Sequence, residues 1–139
     1  MAEPISIERH LRSAEVLDPD AHLVLRGSPL TVAGVLANAD RTRGRFTLAG
    51  DPFLAISVDV TITGWDIERI LARQLRTRRR YATSRAGALL DAGYDLMPTF
   101  SAPHYSLVLP SYTEATAAQL IELFGEVKPN PHYNPRRES

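Results

Sequence analysis

The chain has 139 residues, enough for one domain with a self-sufficient hydrophobic core. Because it contains no cysteine, the composition excludes disulfide bonds, thiolate metal sites and cysteine nucleophiles, and it favours a cytoplasmic location. The 16 basic and 16 acidic residues cancel, and no stretch approaches the roughly 20 apolar residues of a membrane span, so no membrane association is expected.

The first half of the chain predicts two helices and three strands. Apolar residues at helical spacing indicate a short helix over residues 5–17 and a second helix over about residues 30–39. The apolar segment 22–26 between them predicts a strand. The polar residues 40–44 predict a loop. Residues 45–62 are rich in β-branched and aromatic side chains around a central turn, which predicts two strands.

The next part of the chain alternates between helical and extended patterns. A capping pattern at residues 63–66 predicts a helix that continues through an arginine-rich stretch. A break at residues 81–84 separates it from a shorter predicted helix over residues 85–92. Prolines border the segments 95–100 and 105–109, which indicates strands at edges or bends.

The end of the chain predicts one well-defined helix and a loose tail. Residues 113–124 have a capping threonine, an early acid and one apolar face, which is typical of a helix. We therefore expect a single α+β or α/β domain over residues 1–127, with a mixed sheet of four or five strands and three or four helices. The prolines and polar residues of segment 128–139 predict an extended or disordered tail.

The most polarised feature is a group of seven arginines from Arg69 to Arg85 without an acid among them, which leaves the other residues with a formal charge of minus seven. On a helix that turns about 100° per residue, four of them fall within a sector roughly 60° wide. One guanidinium group can donate two parallel hydrogen bonds to two oxygens of a phosphate, so the arginine strip predicts a surface that binds a polyanion. The arginines expected to hold phosphate are Arg69, Arg73, Arg76, Arg79, Arg80 and Arg85.

His104 is the strongest candidate for proton transfer. It precedes an apolar run and is expected at the entrance of a strand, where a histidine serves as a general acid or base near neutral pH. Beside phosphate-holding arginines it would complete a metal-free ribonuclease site in which the RNA 2′-hydroxyl is the nucleophile. Tyr105, which follows it, and Tyr81, which follows the arginines, are the candidates to assist proton transfer.

These residues favour a small RNA-binding protein, specifically a metal-free endoribonuclease of the type used as intracellular toxins. The alternative is a protein-interaction module without catalysis: a homodimer, or an antitoxin or immunity-type partner whose arginines meet an acidic protein. No cofactor and no metal are expected, because the sequence has neither a glycine-rich phosphate loop nor the histidine and carboxylate spacing of a metal site.

Two short segments resemble motifs of known families. His104, Tyr105 and Ser106 resemble one half of the paired His-x-Ser/Thr motif of the 2H phosphoesterases, but the sequence has no second copy. The segments 25–27 and 56–58 resemble the arginine-bearing and serine-bearing strands of ADP-ribosyltransferases, although the Ser-x-Ser and Gln/Glu-x-Glu elements of that family are missing. This second resemblance implies a third alternative, an enzyme that binds NAD.

Overall fold

The computed structural model describes residues 3–135, which form nine strands, four α-helices and one short 3₁₀-helix. In chain order the strands are β1 (Ile5–Ser6), β2 (Leu23–Gly27), β3 (Phe46–Leu48), β4 (Asp51–Pro52), β5 (Ala55–Val60), β6 (Arg80–Arg85), β7 (Asp95–Met97), β8 (His104–Val108) and β9 (Lys128–Pro129). The helices are the 3₁₀-helix Ile7–His10, α1 (Val32–Arg45), α2 (Ile67–Arg73), α3 (Ala86–Asp91) and α4 (Glu114–Leu123).

Six of the strands form one antiparallel sheet in the order β7-β8-β5-β2-β6-β9. Alternation along β5 directs Ile56, Val58 and Val60 to one face, where α1, α3 and α4 cover them and form the main hydrophobic core. The opposite face carries α2, whose buried Ile70 packs with Leu25 of β2. A small second sheet in the order β1-β3-β4 encloses a third apolar cluster. The large sheet is therefore covered by helices on both faces.

The single-domain α+β class is confirmed, and four helices agree with the expected number. The prediction of one mixed sheet with four or five strands is wrong, because the sheets have six and three strands and the larger one is antiparallel throughout. Two of its strands lie where none was predicted. β6 has only the small residues Ala82 and Ser84 on its core face, and β9 contains a proline, so neither has the alternating pattern of large apolar residues that identifies a strand.

The prediction of one long helix through the arginine-rich stretch is also wrong. α2 ends at Arg73, Arg76 lies in the following turn, and Arg80 begins β6. The helical pattern stops because the Leu75 amide donates to the Ile70 carbonyl, five residues back, at 3.1 Å. Like charges four residues apart also oppose a longer helix. The arginines therefore do not form one line along a helix.

Two shorter predictions are corrected near the N-terminus. Residues 5–17 do not form a helix: β1 and the 3₁₀-helix occupy residues 5–10, where Ile7 is buried in the small apolar cluster with Phe53. Residues 40–44 are not a loop, since α1 continues to Arg45. An ion pair between Arg43 and Asp40, 2.8 Å long, lies on this last part of α1.

The C-terminal segment, residues 128–135 of the described chain, contacts the main domain. β9 pairs with the start of β6, and Asn130 is buried. The domain boundary at residue 127 stays a prediction, and residues 136–139 lie outside the described residues. Within residues 3–135, no helix combines the length and the apolar character that crossing a bilayer requires.

Candidate functional site

A cleft with a volume of about 290 Å³ opens on the large sheet where β2 and β5 separate. These two strands pair only at Val24–Val60 and Leu25–Asp59, so they diverge beyond Leu25. The first residue of β8 and the connection after α2 complete the walls. The polar residues that line the cleft are Arg26, Ser57, Asp59, Gln74, Thr77, Arg78 and His104.

Arg26 places a buried cation in the gap between the diverging strands. Its Nη1 atom donates to the Ser57 carbonyl at 2.5 Å, while its Nε atom is buried and has no hydrogen-bond partner within the described residues. Burial lowers the pKa of Arg26 to about 10; the charges of Arg78 and Arg41 add to this, and Asp59 opposes it. The group stays cationic at neutral pH, and its positive charge favours an anion in the adjoining cleft.

Asp59 and His104 face each other on neighbouring strands of the sheet. They are direct partners in the β5–β8 pairing, so their side chains leave the same face. The next pair is the hydrogen-bonded one, since the Val60 amide donates to the Pro103 carbonyl at 3.1 Å. Non-hydrogen-bonded pairs of this kind hold their Cβ atoms about 5 Å apart. Two titratable side chains therefore enter the cleft side by side.

The His104 ring is oriented by Thr99, which is itself fully buried. Its Nδ1 atom lies 3.0 Å from the Thr99 hydroxyl and 3.2 Å from the Thr99 carbonyl, and the hydroxyl is 2.7 Å from that of Ser106. Because a carbonyl only accepts, this geometry favours the proton on Nδ1 and leaves the lone pair on Nε2. Burial lowers the pKa of His104, the Arg12 guanidinium adds to this, and the bond to Thr99 opposes it. The ring is thus a neutral base at neutral pH.

The environment of Asp59 shifts its pKa in the opposite direction. Burial raises the pKa of this carboxyl to about 6, although a hydrogen bond from Gln74 and the charge of Arg26 both oppose the change. The carboxyl therefore keeps its proton to a higher pH than a free aspartate, whereas the neighbouring histidine loses its proton at a lower pH than a free imidazole. Two neighbouring groups whose pKa values are moved towards each other in this way can act as a proton donor and a proton acceptor.

The arginines of the predicted strip lie in different places. Arg78 lines the cleft and packs directly over Gly27, where a Cβ atom would lie 2.6 Å from its Cγ atom, so this position of β2 needs a glycine. Arg79 and Arg80 line an adjoining groove with Arg78. Arg73 ends α2 and Arg76 follows in the next turn.

Two of the predicted phosphate ligands are engaged within the protein. Arg69 donates to the Gly64 carbonyl at 2.6 Å, and its guanidinium carbon lies 4.1 Å from the centre of the Trp65 ring. Arg85 forms an ion pair with Asp20 at 3.1 Å. These contacts do not include the cleft or the adjoining groove.

The structure does not bring either predicted tyrosine to the cleft with His104. Tyr81 packs against the apolar residues beneath α2, and Tyr105 is buried on the opposite face of the sheet in the main core. Sequence reasoning did not assign Asp59, Gln74 or Asn130 to the site. The available signal was the polar alternation Ser57, Asp59, Thr61 along β5, a pattern typical of a face exposed to solvent, although the α2 region partly covers it here.

Within residues 3–135, no three or more histidine or carboxylate side chains converge in an arrangement that suits a metal ion. No protein-family model, no curated protein and no solved structure matches the chain.

Proposed function

We propose that the protein is a metal-free endoribonuclease that acts on single-stranded RNA. The observation that carries the proposal is the pairing of the buried Asp59 with the half-buried His104 in a cleft that is also lined by Arg26 and Arg78. An acid and a base with shifted pKa values beside two cations suit the cleavage of an anionic ester. The volume of about 290 Å³ suits a ribose with its phosphate and excludes a base-paired duplex.

In the proposed reaction the nucleophile comes from the substrate. The Nε2 atom of His104 takes the proton from the 2′-hydroxyl, and the 2′-oxygen forms a bond to phosphorus. The bond from phosphorus to the 5′-oxygen breaks, and Asp59 gives its proton to that oxygen. The products are a 2′,3′-cyclic phosphate and a free 5′-hydroxyl. Arg26 and Arg78 stabilise the charge that builds up on the phosphoryl oxygens.

The proposal is tested with a fluorescently labelled single-stranded oligoribonucleotide and a DNA oligonucleotide of the same sequence. We expect the RNA to be cleaved to a cyclic phosphate and the DNA to remain intact, because DNA lacks the nucleophile. His104→Ala and Asp59→Asn are each expected to lower kcat/KM by about 100-fold or more. Asp91→Asn, an exposed change of the same kind, is the control. Cleavage of the DNA, or full activity in both cleft variants, would rule out this chemistry.

A second candidate deserves a parallel measurement because Arg26 and Ser57 meet in the same cleft. These residues carry the resemblance to ADP-ribosyltransferases, for which the ligand is NAD. Titration calorimetry with NAD, on the wild-type protein and on Arg26→Gln, separates the two candidates. NAD binding that disappears in Arg26→Gln, together with intact RNA, would favour the transferase.

A further inference from the structure

A second groove adjoins the catalytic cleft. It has a volume of about 510 Å³ and is lined mainly by Ser28, Thr77, Arg78–Arg80 and Tyr133. The cleft and the groove share Pro29, Thr77 and Arg78, so Arg78 lies on the border between them. A chain that enters the cleft can therefore continue into the groove without crossing the body of the protein.

The groove combines cations with an aromatic ring. The guanidinium carbon of Arg79 lies 4.8 Å from the centre of the Tyr133 ring, which is half-buried. Within residues 3–135, neither Arg79 nor Arg80 forms an ion pair with an acid. A base can stack on a tyrosine ring or on a guanidinium plane, while a second guanidinium holds the phosphate next to it. The chemistry of the groove thus matches one nucleotide.

The main chain of the groove is held in place by the C-terminal segment. The buried Asn130 side chain donates to the carbonyls of Leu75 at 2.9 Å and Arg78 at 3.1 Å. The backbone amide of Asn130 donates to the Arg79 carbonyl at 2.8 Å. The Asn134 amide donates to the Arg76 carbonyl at 2.7 Å. These bonds fix the backbone that carries the arginines, so the groove is formed before a ligand arrives.

From this arrangement, and resting on the proposed ribonuclease function, we propose that the groove binds the nucleotide next to the cleavage site. Arg79 and Arg80 hold its phosphate and Tyr133 stacks on its base. The preferred substrate is therefore an RNA strand that extends beyond the two nucleotides around the broken bond.

The first test compares kcat/KM for a dinucleoside monophosphate and for a pentaribonucleotide with the same cleavable step. We expect the wild-type protein to favour the longer substrate by about 10- to 100-fold, as one stacked base and one held phosphate would give. In Arg79→Gln/Arg80→Gln this ratio should fall below about threefold. The control Arg9→Gln/Arg45→Gln removes the same charge outside the cleft and the groove and should keep the ratio. A wild-type ratio near one, or an unchanged ratio in the groove variant, would overturn the assignment.

The second test separates the groove from the catalytic proposal. A fluorescent 2′-O-methyl pentanucleotide cannot be cleaved, and we expect Tyr133→Leu to weaken its binding by about tenfold in anisotropy titrations. Groove-dependent binding without any cleavage of ordinary RNA would remove the ribonuclease function and leave the groove assignment standing. Cleavage with no effect of Tyr133→Leu or of the arginine changes on binding would remove the groove assignment alone.

Discussion

Asp59 is the residue whose burial is hardest to explain by stability alone. Its carboxyl is only 8% exposed, and burial outweighs the hydrogen bond from Gln74 and the charge of Arg26, so its pKa rises to about 6. At neutral pH the folded protein therefore holds a carboxylate in a place that disfavours it. Conflicts of this kind between local stability and local chemistry occur where a protein binds or reacts.

The stability of the protein should depend on pH through Asp59. The pKa of Asp59 is about 6 in the folded state against 3.8 for the free side chain, so the folded protein binds this proton more tightly than the unfolded chain. The resulting stabilisation is complete below the unfolded pKa and is lost as the pH rises through 6. Asp59→Asn should then raise the free energy of unfolding by about 3 kcal/mol at pH 7.5 and by only about 1 kcal/mol at pH 4.5. Urea unfolding at both pH values measures this change in the free energy of unfolding. An equal increase at the two pH values would contradict the prediction.

The rate of cleavage should depend on pH through both Asp59 and His104. The reaction needs a protonated Asp59, with a pKa of about 6, and a neutral His104, whose pKa is lowered by burial. We expect kcat/KM to be bell-shaped with its maximum on the acid side of neutrality and to fall as the pH rises above 6. Rates of oligoribonucleotide cleavage between pH 4 and 9 test this. An increase in rate from pH 6 to pH 8 would mean that Asp59 acts as the base.

At the scale of elements, the C-terminal segment completes the arginine-bearing connection between α2 and β6. β9 pairs with Arg80 and Tyr81, and the Asn130 side chain donates to the Leu75 and Arg78 carbonyls of the connection after α2. His132 adds a hydrogen bond to the Glu68 carboxylate on α2 itself. A segment that its composition marks as a loose tail therefore positions part of the candidate site.

Asn130→Asp tests this role with a side chain of almost the same shape. An aspartate cannot donate to the Leu75 and Arg78 carbonyls, and it brings a negative charge against them, so we expect a loss of about 1 to 3 kcal/mol in stability. Amide hydrogen exchange should become faster at residues 76–80 before the rest of the sheet is affected. Glu126→Gln changes one charge just before β9 and is the control. Unchanged exchange at residues 76–80 would show that the segment does not hold this connection.

Elements with local signals were predictable from the sequence, whereas those fixed by distant contacts were not. The helix predicted over residues 113–124 is confirmed as α4, and Thr113 caps it by accepting from the Thr116 amide. By contrast, the connection that follows α2 is held by Asn130, which is more than 50 residues away. His104 was recognisable as a titratable residue at a strand entrance. Asp59 was not recognisable as a site residue, because a carboxylate that alternates with Ser57 is typical of a strand face exposed to solvent. In the folded protein the α2 region partly covers this face.

Across the whole molecule, seven of the 16 basic residues fall in the short stretch from Arg69 to Arg85, while the total charge is zero. Among the seven arginines from Arg69 to Arg85, only Arg85 is paired with an acid within residues 3–135, and Arg69 is held by Gly64 and Trp65. The others surround the connection that joins α2 to β6, next to the cleft. The positive electrostatic field of these arginines would attract RNA at long range, and it would equally attract an acidic protein or the acidic surface of a second copy.

The salt dependence of binding distinguishes these partners. On single-stranded RNA each lost phosphate contact lowers the slope of log affinity against log salt by about 0.7, so Arg73→Gln/Arg76→Gln/Arg80→Gln should reduce that slope by up to about 2. Arg9→Gln/Arg43→Gln/Arg45→Gln removes the same charge elsewhere and should change the slope less. Anisotropy titrations with a 2′-O-methyl oligonucleotide between 50 and 300 mM salt provide the measurement. An identical slope in both triple variants, together with a salt-sensitive oligomer free of nucleic acid, would assign the arginines to a protein interface, because carboxylates of a partner would then replace the phosphates.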